Sequence, residues 1–304
     1  MMNTSIRIGT RESRLAIWQA KLVQNELAKN NILSELIFIK SDGDIDLVTP
    51  LYEMGVQGIF TKTLDAALLS KKIDIAVHSM KDVPTQLAKG ITQAAVLKRA
   101  SYKDLLVYKS INPPLGDGGI IATSSIRRKA QWLHRYPNTV VENLRGNVNT
   151  RLRKLEESNW HGAIFAAAGL ERINLRPENS IELDWMLPAP AQGAIMVVCR
   201  EDEEATKNIC YLLNDEPTEI CTKAERDFLR TLLGGCSTPI SALAEIKDGT
   251  LIFKGNIFST DGKRNVSIEK TYLLQNAATA GISAGNEILN NVGKEIVEEI
   301  RNAQ

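Results

Sequence analysis

Strand-like and helix-like signals alternate through most of this chain, and the alternation runs through twice. Apolar runs at residues 6–8, 36–39 and 73–77 read as strands, while 13–29, with Leu15, Trp18, Leu22 and Leu27, and 59–70 read as helices. After Arg99-Ala100-Ser101 the pattern restarts, with strands predicted at 104–108, 120–122, 139–144 and 163–167 and helices at 126–136 and 148–157. Strands alternating with helices of this length form βαβ units around a mostly parallel sheet, so the chain is predicted to hold two doubly wound α/β domains. The turn Leu187-Pro188-Ala189-Pro190-Ala191-Gln192-Gly193 leads into another apolar run at 194–199, which we assign back to the first unit. Two crossings between the units make a hinge.

From about Glu216 the character changes. A helix at 218–233 ends at Gly234-Gly235-Cys236, three strand-like runs follow at 243–246, 251–258 and 267–274, and a helix at 276–290 covers them, which is the pattern of a small α+β domain. The predicted boundaries are 1–97 with 193–214, then 98–192, then 215–304. A length of 304 residues suits such a division, and 43% hydrophobic residues with a net charge of +1 describe an ordinary globular chain with no global preference for a polyanion. Four cysteines without paired spacing and three scattered histidines give no metal site. No signal-peptide pattern and no membrane-length apolar segment is present, so a cytoplasmic location with reduced thiols is expected.

The chemistry-bearing stretches lie at strand ends. Residues 73–77 run into His78-Ser79-Met80-Lys81-Asp82-Val83-Pro84, and open α/β sheets bind ligands at such carboxyl ends. On position alone Asp82 is as readily a turn residue before Pro84. Between residues 123 and 153 stand Arg127, Arg128, Lys129, Arg135, Arg145, Arg151 and Arg153 against Glu142 alone, a local charge of +6. Within it Thr123-Ser124-Ser125 and Arg145-Gly146-Asn147 each precede a predicted helix, and Arg11 in Thr10-Arg11-Glu12-Ser13 repeats the layout in the first unit. Helix N-termini and arginine forks bind carboxylates and phosphates, whereas Arg135 and Arg153 along helices also suit a solvated face. A nucleic-acid partner is disfavoured by the lack of aromatic interleaving and of any overall basic excess. Cys236, on a glycine turn, is a candidate nucleophile with no histidine beside it in sequence, while Cys199 and Cys210 read as packing.

Taken in order, Thr10-Arg11-Glu12-Ser13, Gly58-Ile59-Phe60-Thr61-Lys62, His78 to Pro84, Thr123 to Arg128, Leu144-Arg145-Gly146-Asn147-Val148 and Gly234-Gly235-Cys236 closely resemble the hydroxymethylbilane synthase, or porphobilinogen deaminase, family over essentially the whole chain. The resemblance implies three domains, the first two like periplasmic binding proteins with the active cleft between them. It implies a transferase of tetrapyrrole biosynthesis that condenses porphobilinogen, with loss of ammonia, into linear hydroxymethylbilane. By the same resemblance Cys236 holds a dipyrromethane cofactor through a thioether, and Asp82 with Lys81 is catalytic. Arg127, Arg128, Arg145, Ser79, Lys81, Thr123, Ser124 and Ser125 hold the cofactor, and Arg11, Ser13, Arg145, Arg151, Arg172 and Gln192 face the substrate. The implied protein is a monomer with no membrane or nucleic-acid partner.

Asp82 is then expected to be the one anion among arginines, and His78 a structural residue. The chain departs from the family at Gly55-Val56-Gln57-Gly58, which lacks a usual loop lysine, at Asn149, and at Ser237-Thr238. Two other classes fit parts of the pattern. A two-lobed anion-binding solute or sensor protein explains the cleft but not Cys236, and a phosphate-ligand enzyme lacks a Walker-type loop.

Overall fold

The computed structural model describes residues 5–40, 61–110, 113–232, 238–290 and 293–302. The first unit contains β1 (Ile6–Thr10), α1 (Arg14–Lys29), β2 (Ser34–Phe38), α2 (Lys62–Leu69), β3 (Ile75–Ser79), a 3-10 turn (Met80–Asp82) and β4 (Ile91–Leu97). The second contains β5 (Asp104–Tyr108), β6 (Ile120–Ala122), α3 (Ile126–Arg135), β7 (Val140–Glu142), α4 (Val148–Glu157), β8 (Gly162–Ala166), α5 (Ala167–Glu171) and β9 (Ser180–Glu182). Then follow β10 (Ile195–Arg200), α6 (Glu204–Tyr211), α7 (Glu216–Leu232), β11 (Ile240–Lys247), β12 (Thr250–Phe258), β13 (Asn265–Leu273), α8 (Ala277–Leu289) and α9 (Gly293–Asn302).

The two large sheets share one design. Their strand orders are β2-β1-β3-β10-β4 and β7-β6-β8-β5-β9. In each, four strands point the same way and a fifth, inserted before the edge, runs against them: β10 is antiparallel to β3 and β4, and β5 to β8 and β9. Each sheet is therefore mostly parallel in strand direction, as expected, with one antiparallel strand inserted. The reversed strands are the two that begin immediately after a crossing between units, and they enter their sheets from the opposite end. β10 is buried along its whole length, which suits a strand paired on both edges beneath helices.

Local sequence explains the elements around the cleft. Helix α1 starts because the Ser13 side chain accepts a hydrogen bond from the Ala16 N–H, and it buries Ala20, Val23 and Leu27 against β1 and β3. Ser125 and Asn147 cap α3 and α4 in the same way, accepting from the N–H groups of Arg128 and Thr150. At the second crossing Gly193 has φ +88°, and a Cβ there would lie 2.7 Å from the carbonyl oxygens of Ala100 and Ser101 in the first crossing. Only glycine lets the two crossing segments touch.

The third unit packs α7 and α8 on the antiparallel sheet β11-β12-β13 around Phe228, Leu232, Phe253, Ile257 and Ile288. The helices meet closely: a Cβ on Gly281 of α8 would lie 1.9 Å from the Ala224 carbonyl oxygen of α7. Helix α7 also ties the third unit to both crossings through Glu225, which is fully buried. Its carboxylate accepts from Arg99 Nη1 at 2.6 Å and Nη2 at 3.1 Å, from the Ala191 N–H at 2.6 Å and from the Ala244 N–H at 2.8 Å. Breaking one side of a buried ion pair costs about 3–5 kcal/mol because the other charge stays uncompensated. Glu225→Gln is therefore expected to lower unfolding stability by several kcal/mol in urea titrations, and a loss under about 1 kcal/mol would contradict this role.

Candidate active site

Lys81 and Asp82 sit in the 3-10 turn directly after β3, where the carboxyl end of the first sheet opens. Met80 is buried beneath them, its N–H bonded to the Ala194 carbonyl oxygen at 3.0 Å, so the turn is anchored while the Asp82 side chain is exposed. The Oγ of Ser79 accepts from Gln19 Nε2 at 2.8 Å, which ties the end of β3 to α1.

Across the cleft, Arg127 and Arg128 begin α3 and are both buried. Their shared partner is Asp104, which is fully buried at the head of β5. Arg127 Nη2 donates to Asp104 Oδ2 at 2.8 Å, and Arg128 Nη2 and Nε donate to Oδ1 at 2.7 and 3.1 Å. Although burial works against the ionised form, the two guanidinium groups hold the Asp104 carboxyl well below the usual carboxylate range. Asp82 is thus not the one anion here. In the sequence Asp104 is only the first residue of a strand and carries no motif of its own. The available signal was the buried run Leu105-Leu106-Val107 after it, since a carboxylate heading such a strand needs cationic partners.

Gln192 connects the two sides. Lys81 Nζ donates to Gln192 Oε1 at 3.2 Å, and Gln192 Nε2 donates to Asp104 Oδ1 at 2.9 Å and to the Tyr102 carbonyl oxygen at 2.8 Å. A hydrogen-bonded chain therefore runs from the turn of the first unit, through the second crossing, to the arginine pair of the second unit. Arg145 is buried at the loop before α4, and Arg151 Nε donates to the Gly146 carbonyl oxygen at 2.7 Å. Arg172 follows α5, donates to the Gly193 carbonyl oxygen at 2.7 Å and stacks over the Trp18 ring at 5.6 Å, spanning the two units. Thr123 Oγ1 accepts from the Ser125 N–H at 3.2 Å, shaping the loop before α3 with Ser124 between them. Arg11 lies near enough to His78 to favour its neutral form. Burial first and Arg11 second lower the His78 pKa to about 4.

The described charges around Asp82 are mostly cationic. Burial, reinforced by Arg128 and Arg127 and opposed by Asp82 and Asp104, lowers the Lys81 pKa to about 8. Burial together with Arg128 and Arg145, opposed by Asp82, lowers Arg151 to about 10. Among the described residues, Lys81, Arg127, Arg128, Arg145 and Arg151 thus gather around Asp82 and Asp104, five cations with two carboxylates. Arg127 Nε is in addition buried without a hydrogen-bond partner. Such a cluster fits a ligand carrying several carboxylates.

Cys236, Ser237 and the segment with Glu53 and Gln57 lie outside the described residues. The described cysteines are buried, and burial pushes the thiols of Cys210 and Cys221 up to about 12, as expected for inert packing. Among the described residues no group of three or more His, Cys, Asp and Glu stands together, and no helix is long and apolar enough to cross a membrane.

Fold and site together define a two-lobed α/β protein with a cationic cleft and a small α+β domain joined to it. The chain belongs to the porphobilinogen deaminase family. The family model for the porphobilinogen deaminase dipyromethane cofactor binding domain matches residues 6–208, and that for the porphobilinogen deaminase C-terminal domain matches 219–290. The chain is 41% identical to the porphobilinogen deaminase of Chlorobium phaeobacteroides (strain BS1), covering 99% of both chains. It is 39% identical to that of Chloroherpeton thalassium (strain ATCC 35110 / GB-78), again over 99% of each. Among solved structures, the methionine binding protein MetQ aligns with 69% of this chain and 89% of its own at 16% identity and a TM-score of 0.45.

The depressed Lys81 pKa has a readable consequence. The folded chain releases this proton before the unfolded chain does, so the unfolded state binds more protons between pH of about 8 and 10.5, and the group's contribution to stability rises with pH across that window. In an NMR titration of 13C-methylated lysines, the resonance absent from Lys81→Met is expected to titrate near pH 8. A midpoint at the ordinary lysine value would contradict the cluster electrostatics.

Proposed function

We propose that this chain is a hydroxymethylbilane synthase, joining four porphobilinogen molecules in sequence with release of ammonia. The observation that carries the reading is the gathering of Lys81, Arg127, Arg128, Arg145 and Arg151 around Asp82, with three of the arginines buried and the Arg127 Nε lacking a hydrogen-bond partner. Each pyrrole brings two carboxylates, so a growing chain presents anions suited to this group of cations. Family membership favours this activity over solute binding or sensing.

The residues present fit a dipyrromethane group, whose carboxylates match the gathered cations and the buried Arg127 Nε. Cys236 is its proposed attachment point, and Ser79, Lys81, Thr123, Ser124, Ser125, Arg127, Arg128 and Arg145 its proposed holders. When bound, it supplies the nucleophilic pyrrole carbon that primes the chain. A guanidinium carries five N–H groups, more than Arg127 and Arg128 spend on Asp104, Leu187 and Ile164, so both retain donors for a ligand. Arg11, Ser13, Arg145, Arg151, Arg172 and Gln192 are assigned to the substrate.

In each cycle the bond between the aminomethyl carbon of porphobilinogen and its nitrogen breaks, ammonia leaves, a carbon–carbon bond forms, and the attacked ring loses a proton. Asp82 is placed for two tasks. As an exposed carboxylate beside Lys81 and Arg151, it stabilises the positive charge that develops on the substrate pyrrole as ammonia departs. It also accepts the proton released on rearomatisation. Lys81, kept close to Asp82 by the turn and bonded to Gln192, steadies that charge balance. We assign the chain to three domains, 1–97 with 193–214, 98–192 and 215–304, and to the cytoplasm. The second assignment rests on the free thiols of Cys199, Cys210 and Cys221.

The test is the intact mass of protein expressed with porphobilinogen available. An addition of two pyrrole units, lost in Cys236→Ser, is expected, and an unmodified wild-type chain would falsify the assignment. Asp82→Ala is expected to retain the added mass while turnover falls at least about 1,000-fold, and full activity in that variant would remove Asp82 from the mechanism.

A further inference from the structure

Arg226 belongs to α7 of the third unit, yet its guanidinium closes on the turn that carries Asp82. Nη1 donates to the carbonyl oxygens of Met80 at 3.3 Å and Val83 at 2.9 Å, and Nη2 donates to that of Pro84 at 2.6 Å. Three carbonyls within five residues, one before Asp82 and two after it, are gathered by a single planar fork.

The turn needs such a partner. The 3-10 turn is a single turn, closed by the Val83 N–H on the Met80 carbonyl oxygen at 3.2 Å. Val83 is then forced out of helical backbone by Pro84, so the carbonyls of Val83 and Pro84 cannot enter a helical ladder. On its leading side the turn is pinned by the Met80 N–H on Ala194. On its trailing side it is held by Arg226.

The base from which Arg226 reaches is itself fixed. The preceding residue, Glu225, binds Arg99 of the first crossing and Ala191 of the second, so α7 cannot slide against the hinge without breaking a buried ion pair. Arg226 thereby refers the position of Asp82 to the hinge rather than to the first sheet alone.

We propose that Arg226 is a positioning residue for the reaction, fixing the height and direction of Asp82 through the backbone of its turn. The proposal rests on the catalytic reading of Asp82 given above. Arg226 touches no reacting atom in this scheme. A displacement on the order of 1 Å at a reacting group can cost about 100-fold in rate, so the loss of this clamp is expected in kcat rather than in substrate affinity.

The test uses the full chain expressed with porphobilinogen available, as wild type, Arg226→Met, Arg226→Lys, Asp82→Glu and the double variant Asp82→Glu with Arg226→Met. Arg226→Met is expected to keep the two-pyrrole mass and KM, to lose about 10- to 100-fold in kcat, and to exchange amide hydrogens faster at residues 79–83. Arg226→Lys, which keeps one donor group but not the fork, is expected to recover part of the rate. If Arg226 acts through Asp82, its removal from the Asp82→Glu chain costs less than about threefold, because the two effects do not add. An equal penalty on both backgrounds, an unchanged kcat, or a loss of rate that merely tracks loss of folded protein overturns the proposal. A wild-type chain without the two-pyrrole mass would overturn the reaction itself. The exchange comparison stands apart from the reaction, and unchanged exchange at 79–83 in Arg226→Met overturns the clamp in either case.

Discussion

A fully buried carboxylate with four donors on it is an expensive thing to leave half satisfied, and Glu225 is the point at which the third unit of this chain is tied to both crossings. Arg99 arrives from the first crossing, Ala191 from the second and Ala244 from the third unit's sheet. Each donor taken alone is an ordinary contact. Together they convert a flexible double crossing into a joint whose charge is neutralised locally, because a buried carboxylate without its cation costs more than the surrounding packing can absorb. The geometry of the cleft follows, since the loop before β5 and helix α7 leave from this joint and the turn after β3 is held by Arg226 of α7.

The cleft applies the opposite principle. Asp104 neutralises part of the Arg127–Arg128 pair but not all of it, and Lys81, Arg145 and Arg151 add further positive charge beside Asp82. The protein holds this charge by burying the cations among carbonyl oxygens, from Leu187, Ile164 and Gly146. Gln192 is suited to the boundary between the two regimes. Its amide accepts from Lys81 on one side and donates to Asp104 on the other, linking the lobes without adding charge.

Much of this arrangement was legible in the residues. Strand and helix periodicity located β5, β6 and α4 to the residue, and placed Ser125 and Asn147 before helices that they do cap. The motif order carried the family. What was not legible depends on contacts between distant segments: Asp104 acquires its meaning only when β5 lies beside α3, and Glu225 only when two crossings converge on α7. The inserted antiparallel strands were hidden for the same reason, because an apolar run such as Ile195 to Arg200 does not declare its direction. Strand β4 and helices α6 and α9 lacked a clear period and were passed over.

The shared strand order of the two large sheets also sets a schedule. Strand β4 has β10 as its neighbour in the sheet, and β10 lies on the far side of the entire second unit in the sequence. A ribosome adding about 5–20 residues per second therefore leaves Ile91 to Leu97 unpaired for several seconds while the second unit is made. That second unit contains all five strands of its own sheet and can close first. The lobe that begins the chain is thus the later of the two to be finished, and its apolar edge must be kept from other partners until residue 200 has emerged.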